Sequence, residues 1–248
     1  MRGRYPSPSG ISYSFGPGPL TPAIRMLVIV NVAAFLVTLV APAVISSMGL
    51  WPQRVFEQGQ VWRPLTYMFL HGGIFHILFN LLALWMFGVE LERMWGTRFF
   101  TKYYFVAGAG AAVTTMVLAF LPGDVGNQLY YSNTIGASGA VYGILLAYAL
   151  YFPNRPILMF MLFPLPAKVY VAIIGAIALL SSMSAGGGVA HTAHLGGLIA
   201  GYIFLKGGRL HLMSEIQYRY LKWRINRSRR RFDVYHGGRA DDVNRRVH

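Results

Sequence analysis

The chain contains no cysteine and little charge: of 248 residues, 12% are Asp, Glu, Lys or Arg. Without cysteine there are no disulfides, thiol nucleophiles or thiolate metal sites. A soluble domain carries about 25% charged residues, so half that value beside 55% hydrophobic residues excludes an ordinary soluble fold of this length. Acids are the scarcest group. Only eight occur: Glu57, Glu90, Glu92, Asp124 and four beyond residue 206. The apolar runs therefore have almost no carboxylate to work with.

Those runs are the main content of the sequence. Each is about 17–25 residues long, as a bilayer core requires: Ala23–Val40, Leu65–Val89, Tyr103–Leu121, Ile135–Phe152, Ala167–Met183 and Val189–Leu205. They predict an all-α, polytopic membrane protein with six spans. The apolar stretch after the fourth contains Pro153, Pro156, Pro164 and Pro166, which argue for a connection at membrane depth rather than a seventh helix. Residues 1–22, rich in Gly, Pro and Ser, read as a disordered leader. Residues 23–206 form the helical domain and 207–248 a basic tail. Half of the 22 lysines and arginines, which set the net charge of +14, lie in that tail.

Lysines and arginines also orient the spans. Arg2, Arg4 and Arg25 precede the first. Arg93, Arg98 and Lys102 lie in the second connection, Arg155 and Lys168 in the fourth; the opposite side has only Arg54 and Arg63. Both termini are expected to be cytoplasmic, in a bacterial inner membrane, with the tail on lipid rather than nucleic acid. Met213, Ile216, Tyr220 and Trp223, spaced three and four apart among basic residues, suggest an interfacial helix there; a solvated tail is the alternative. The first span ends in "APA", which imitates a signal-peptidase site; the charge pattern favours an uncleaved span.

Polar residues inside spans are costly and mark functional sites by default. Here they cluster: His71, His76 and Asn80 in the second, Ser138 and Tyr142 in the fourth, His191 and His194 in the sixth. The even-numbered spans run from outside inward. Ser138 and His194 both lie a few residues in, about 5–8 Å below the outer helix ends at 1.5 Å per residue. His76 is deeper by count, but Gly72 and Gly73 loosen the helix above it. His76 shares a face with Asn80, and Ser138 with Tyr142, each pair four apart. Gly197 and Gly201 form a GxxxG pair that lets backbones approach and brings His194 to the Ser138 helix.

Serine beside histidine suggests a nucleophile with its general base. No acid lies at that depth, so a triad is excluded and a dyad remains, the His194 ring supported by stacking on Tyr142. His76, Asn80 and the Ser138 N–H then suit an oxyanion site. Gly136 and Gly139 read as clearance for substrate and neighbouring helices. Each polar residue alone has a plainer reading, since small residues and lone serines are common at helix interfaces; their combination favours chemistry. Histidine-based metal or proton transport is the rival reading, opposed by the lack of carboxylates and of HExxH.

With Trp62–Arg63, "ELERMWG" at Glu90–Gly96, "GASGAVYG" and "AHLGGLIAG" added to the His-(x)4-His-(x)3-Asn run, the chain resembles the rhomboid intramembrane serine proteases between about Trp62 and Gly201. The resemblance implies a six-helix rhomboid bundle and a Ser138–His194 dyad. It also implies an oxyanion site from Ser138 N–H, His76 and Asn80, and a partly embedded first loop anchored by Trp62 and Arg63. Glu92 and Arg93 match the polar cluster at the cytoplasmic end of the second span. The implied activity is cleavage of transmembrane or juxtamembrane segments of other membrane proteins, with no metal or cofactor. A non-catalytic, chaperone-like member of the family is disfavoured because both dyad residues are present.

Overall fold

The computed structural model describes residues 16–159, 163–182 and 188–207. The chain divides into two compact units, Met1–Leu205 and Lys206–His248. The expected interfacial helix of the tail lies outside the described residues, as does the leader before Gly16.

Six helices of the described residues have fourteen residues or more: α1 (Pro22–Val40), α5 (Ile74–Trp95), α6 (Thr97–Leu118), α8 (Ser138–Tyr151), α9 (Ala167–Ser182) and α10 (Gly188–Gly207). Between α1 and α5 the first loop folds into three short helices, α2 (Ala43–Met48), α3 (Pro52–Gln58) and α4 (Arg63–Thr66), followed by a 3-10 turn at Tyr67–Phe69. α7 (Asp124–Tyr131) lies between α6 and α8. The proline-rich connection is non-helical: β1 (Pro156–Met159) pairs antiparallel with β2 (Phe163–Pro166). Among the described residues, α1 and α5 are long and apolar enough to cross a bilayer, and α8 and α9 are shorter apolar helices. Side chains such as Leu36, Val40, Phe75 and Phe79 lie exposed on the outer faces of α1 and α5, as expected where lipid rather than protein is the solvent.

α8 sits at the centre. Its buried residues lie all round the helix, the pattern of a core helix rather than a surface one. Small residues let its neighbours approach: a Cβ on Gly139 would stand 2.6 Å from the Ala111 Cβ of α6, and one on Gly143 2.6 Å from that of Ala107. α10 packs through the same device, since a Cβ on Gly197 would stand 1.9 Å from the Gly139 carbonyl oxygen and one on Gly201 3.2 Å from the Gly143 Cα. Such close backbones replace the hydrophobic drive that is missing between helices in lipid. Two buried tyrosines tie the centre together, Tyr67 donating to the Gly108 carbonyl (2.7 Å) and Tyr103 to that of Gly143 (2.6 Å).

At the far end of α5, Glu92 accepts hydrogen bonds from the Ala23 and Ile24 N–H groups (2.9 and 3.1 Å) and from the Thr21 and Thr97 hydroxyls. One carboxylate thus caps the N-terminus of α1 and fastens the start of α6. Arg93 donates to the Pro17 and Pro19 carbonyls and Trp85 to that of Gly18, so residues 17–19, expected to be disordered, are held against α5. Glu90 pairs with Arg155.

Two boundaries near the polar cluster differ from expectation. The second apolar run is helical from Ile74, not from Leu65, because Gly72 and Gly73 interrupt it after the 3-10 turn. Ser138 begins α8 instead of lying a few residues inside it. The lead-in 132–136 is non-helical: Thr134 exchanges backbone hydrogen bonds with Leu50 (2.8 Å each way), and Gly136, at φ +123°, donates to the Tyr67 carbonyl (2.9 Å). This φ belongs to glycine and stops the helix from starting earlier.

Candidate active site

The two boundary differences explain how the site assembles. α8, with 14 residues, is about 21 Å long at 1.5 Å per residue. It is too short for the roughly 30 Å core of a bilayer, so its first residue lies inside the bundle. His194 lies in the second turn of α10, and the glycine seam presses that turn onto the start of α8. The Ser138 Oγ and His194 Nε2 stand 2.8 Å apart. The Tyr142 ring, one turn along α8, stacks on the imidazole at 4.1 Å between centroids and 6° between planes. His191 meets the same ring edge-on at 5.7 Å. The His194 Nδ1 has no hydrogen-bond partner among the described residues, so the ring is held by aromatic contact and not by a carboxylate.

His76 is the third residue of α5, and Asn80 lies one turn further on. The His76 Nδ1 accepts a hydrogen bond from the Gly72 N–H (3.3 Å). In a neutral imidazole this leaves the proton on Nε2. That atom faces Gly136: a Cβ there would be 2.7 Å from His76 Nε2 and 3.7 Å from Ser138 Oγ. Gly136 is therefore the gap through which His76 approaches the serine. Asn80 Nδ2 donates to the His76 carbonyl (2.8 Å), which fixes the amide. As the first residue of α8, Ser138 has no intrahelical acceptor for its N–H, and the helix N-terminus adds positive partial charge at the same place.

His76, Asn80, Ser138, Tyr142 and His194 line one cavity of about 470 Å³. No carboxylate lines it among the described residues. Its apolar wall includes Phe75 and Phe79 of α5 and Tyr170 and Ile174 of α9. Sequence reasoning did not find these four, because apolar residues in apolar helices carry no signal. It also did not find Tyr67, whose carbonyl positions Gly136 and whose hydroxyl crosses to α6.

The other expected residues lie elsewhere. Gly139, Gly197 and Gly201 form the seam rather than the cavity. Trp62 and Arg63 belong to the first loop. Trp62 donates to the Ser47 carbonyl (3.2 Å), and buried Arg63 donates to Gly49 O (2.5 Å), Ser46 O (3.0 Å) and Gln60 Oε1 (2.6 Å). Burial, then the charge of Arg54, lowers the Arg63 pKa. By holding this loop, Arg63 holds the Leu50 backbone on which Thr134 is paired. His71 is buried edge-on to His76 at 4.9 Å. No three His, Asp or Glu side chains are grouped to hold a metal among the described residues.

Residues 58–208 match the model of the Rhomboid domain. The chain is 33% identical over 164 residues to the rhomboid protease GluP of Bacillus subtilis, covering 63% of this chain and 28% of that protein. It is 33% identical over 139 residues to rhomboid protein 1, mitochondrial, of Saccharomyces cerevisiae (55% and 38% covered). It is 30% identical over 128 residues to the rhomboid protease GlpG of Yersinia pestis (52% and 41% covered). The chain thus spans from about a quarter to about half the length of such relatives. The family model takes in more than half of the chain and all the residues that line the cavity, and the chain belongs to the rhomboid family of integral membrane proteins.

Proposed function

We propose that the chain is an intramembrane serine endopeptidase that cleaves transmembrane or juxtamembrane segments of other membrane proteins with a Ser138–His194 dyad. The observation that carries this reading is the 2.8 Å contact between Ser138 Oγ and His194 Nε2 under a stacked tyrosine. His194 takes the hydroxyl proton as Ser138 attacks the scissile carbonyl, and returns it to the leaving amine. The oxyanion is stabilised by the Ser138 N–H, by His76 Nε2–H and by the second N–H of the Asn80 amide. Water deprotonated by His194 then releases the acyl-enzyme. Tyr142 keeps the imidazole in plane where a triad would use an acid.

A substrate helix reaches this cavity from the lipid. Phe75 and Phe79 are 69% and 63% exposed, so the α5 edge of the cavity faces outward as an apolar surface, and α9 forms the other edge. Helix carbonyls are occupied by their own hydrogen bonds, so the segment must unwind locally, and segments with Gly or Pro near the scissile bond are the better substrates. In this reading residues 23–206 form six spans, both termini are cytoplasmic and the cavity opens to the outer side. The membrane is a bacterial inner membrane, and the partners are lipid and substrate helices.

Cleavage of a single-span reporter in proteoliposomes tests the proposal, comparing wild type with Ser138→Ala and His194→Ala. Loss of cleavage in both variants is expected, and equal cleavage by all three proteins refutes the dyad. Activity lost to a chelator but retained by Ser138→Ala points to a metal instead.

A further inference from the structure

A second cavity, about 460 Å³, lies at the opposite end of α8, between that helix, α9 and α10. Its walls come from Leu146 and Leu150 of α8, Val171 and Gly175 of α9, and Leu198 and Ile203 of α10. Among the described residues that line it, one is charged: Lys168, in the first turn of α9. The hairpin base fixes this residue in place. The Lys168 N–H donates to the Pro153 carbonyl (3.1 Å) and the Ala167 N–H to that of Arg155 (2.9 Å). The neighbouring cation, Arg155, is paired with Glu90, and this is the one ion pair among the described residues. Lys168 is exposed and has no carboxylate partner among them.

We propose that this groove binds one anionic phospholipid, with an acyl chain along the apolar walls and the phosphate on the Lys168 ammonium. The charge distribution selects the occupant. A single cation at one end of an otherwise apolar groove matches an amphiphile with one negative head, and basic pockets between helices on the cytoplasmic side suit such headgroups. A helix about 10 Å across is a poor fit to a volume typical of small-ligand sites, and a soluble anion leaves the apolar walls wet. The bound lipid lies behind α9, whose Tyr170 and Ile174 face the first cavity. The inference rests on the proposed orientation, with Lys168 at the cytoplasmic face.

The test uses the full chain carrying Ser138→Ala, reconstituted in phosphatidylcholine vesicles with a photoreactive phosphatidylglycerol or, separately, a photoreactive phosphatidylcholine. Labelled peptides are mapped by mass spectrometry. The expected result is preferential labelling of the α8, α9 and α10 residues of the groove by phosphatidylglycerol. Lys168→Gln should weaken it about five-fold, the effect of one cation near an anionic lipid. Gly175→Leu, which fills the groove, should remove it, and Ala172→Leu serves the same end if the first variant does not fold. Equal labelling by both lipids, no effect of Lys168→Gln, or cross-links to a second copy in place of lipid overturns the proposal. Labelling needs no peptide cleavage, so failure of the peptidase reading leaves this result independent.

Discussion

Gly197→Ala isolates the contribution of the helix seam to the proposed chemistry. The added methyl would lie 1.9 Å from the Gly139 carbonyl oxygen. That partner is backbone of a buried helix and cannot rotate aside. Restoring an ordinary carbon–oxygen contact requires α10 and α8 to part by more than about 1 Å. His194 precedes Gly197 by three residues on nearly the same face of α10, so the 2.8 Å dyad contact stretches beyond the ~3.2 Å reach of a hydrogen bond. A displacement of about 1 Å in a catalytic pair costs on the order of 100-fold in rate. Alanine is the better helix former by ~1 kcal/mol, so loss of α10 itself cannot explain the defect. The assay is kcat and KM for a single-span reporter in proteoliposomes, with the rate of Ser138 labelling by a fluorophosphonate as a direct measure of nucleophile activation. kcat and labelling should fall together, with KM little changed. Gly175→Ala on α9 is the control, since its methyl meets only the end of the Leu198 side chain, Cδ1, at 3.4 Å. A Gly197→Ala protein with kcat within about threefold of wild type would refute the argument that this seam sets the dyad distance.

Three further substitutions probe separate supports. Tyr142→Phe keeps the stacked ring and should retain near-wild-type cleavage, whereas Tyr142→Ala removes a contact worth ~1 kcal/mol and should lower kcat at least about five-fold; equal activity of the two would remove stacking as the support of His194. Glu92→Gln replaces the carboxylate that four donors share, and should cost ~1–3 kcal/mol of stability, read as a lower thermal midpoint. Activity per folded molecule should be unchanged, because Glu92 does not line the cavity. Arg63→Lys cannot reproduce a guanidinium fork that meets two carbonyls and an amide at once, and should lower stability by ~2 kcal/mol; Ser138 labelling should slow as well, and an unchanged labelling rate would detach the first loop from the site.

The site was more legible in the sequence than the fold that presents it. Ser138, His194, His76 and Asn80 stand out because a polar side chain in an apolar run is costly, and helical phase then groups them. The walls of the cavity were not legible, because Phe79 or Ile174 looks like any lipid-facing residue until the neighbouring helix is placed. Equal depth paired Ser138 with His194, which do lie in contact, but through an incorrect step. It assumed that the fourth helix starts at the surface, whereas periodicity cannot distinguish an apolar extended segment from the first turn of an apolar helix. The sequence marker of the true start is Gly136, which reads as packing until its φ of +123° is known. The physical consequence extends beyond a boundary. A non-helical segment cannot enter an apolar interior with its N–H and C=O groups unpaired, so residues 132–136 require partners, and Leu50 and Tyr67 supply them at Thr134 and Gly136. The first loop, which contains no dyad residue, thereby becomes a condition for Ser138 to lie at a buried helix N-terminus, where its N–H is free and the dipole favours an oxyanion. In the proposed chemistry Arg63 matters for the same reason, although it touches no reacting atom.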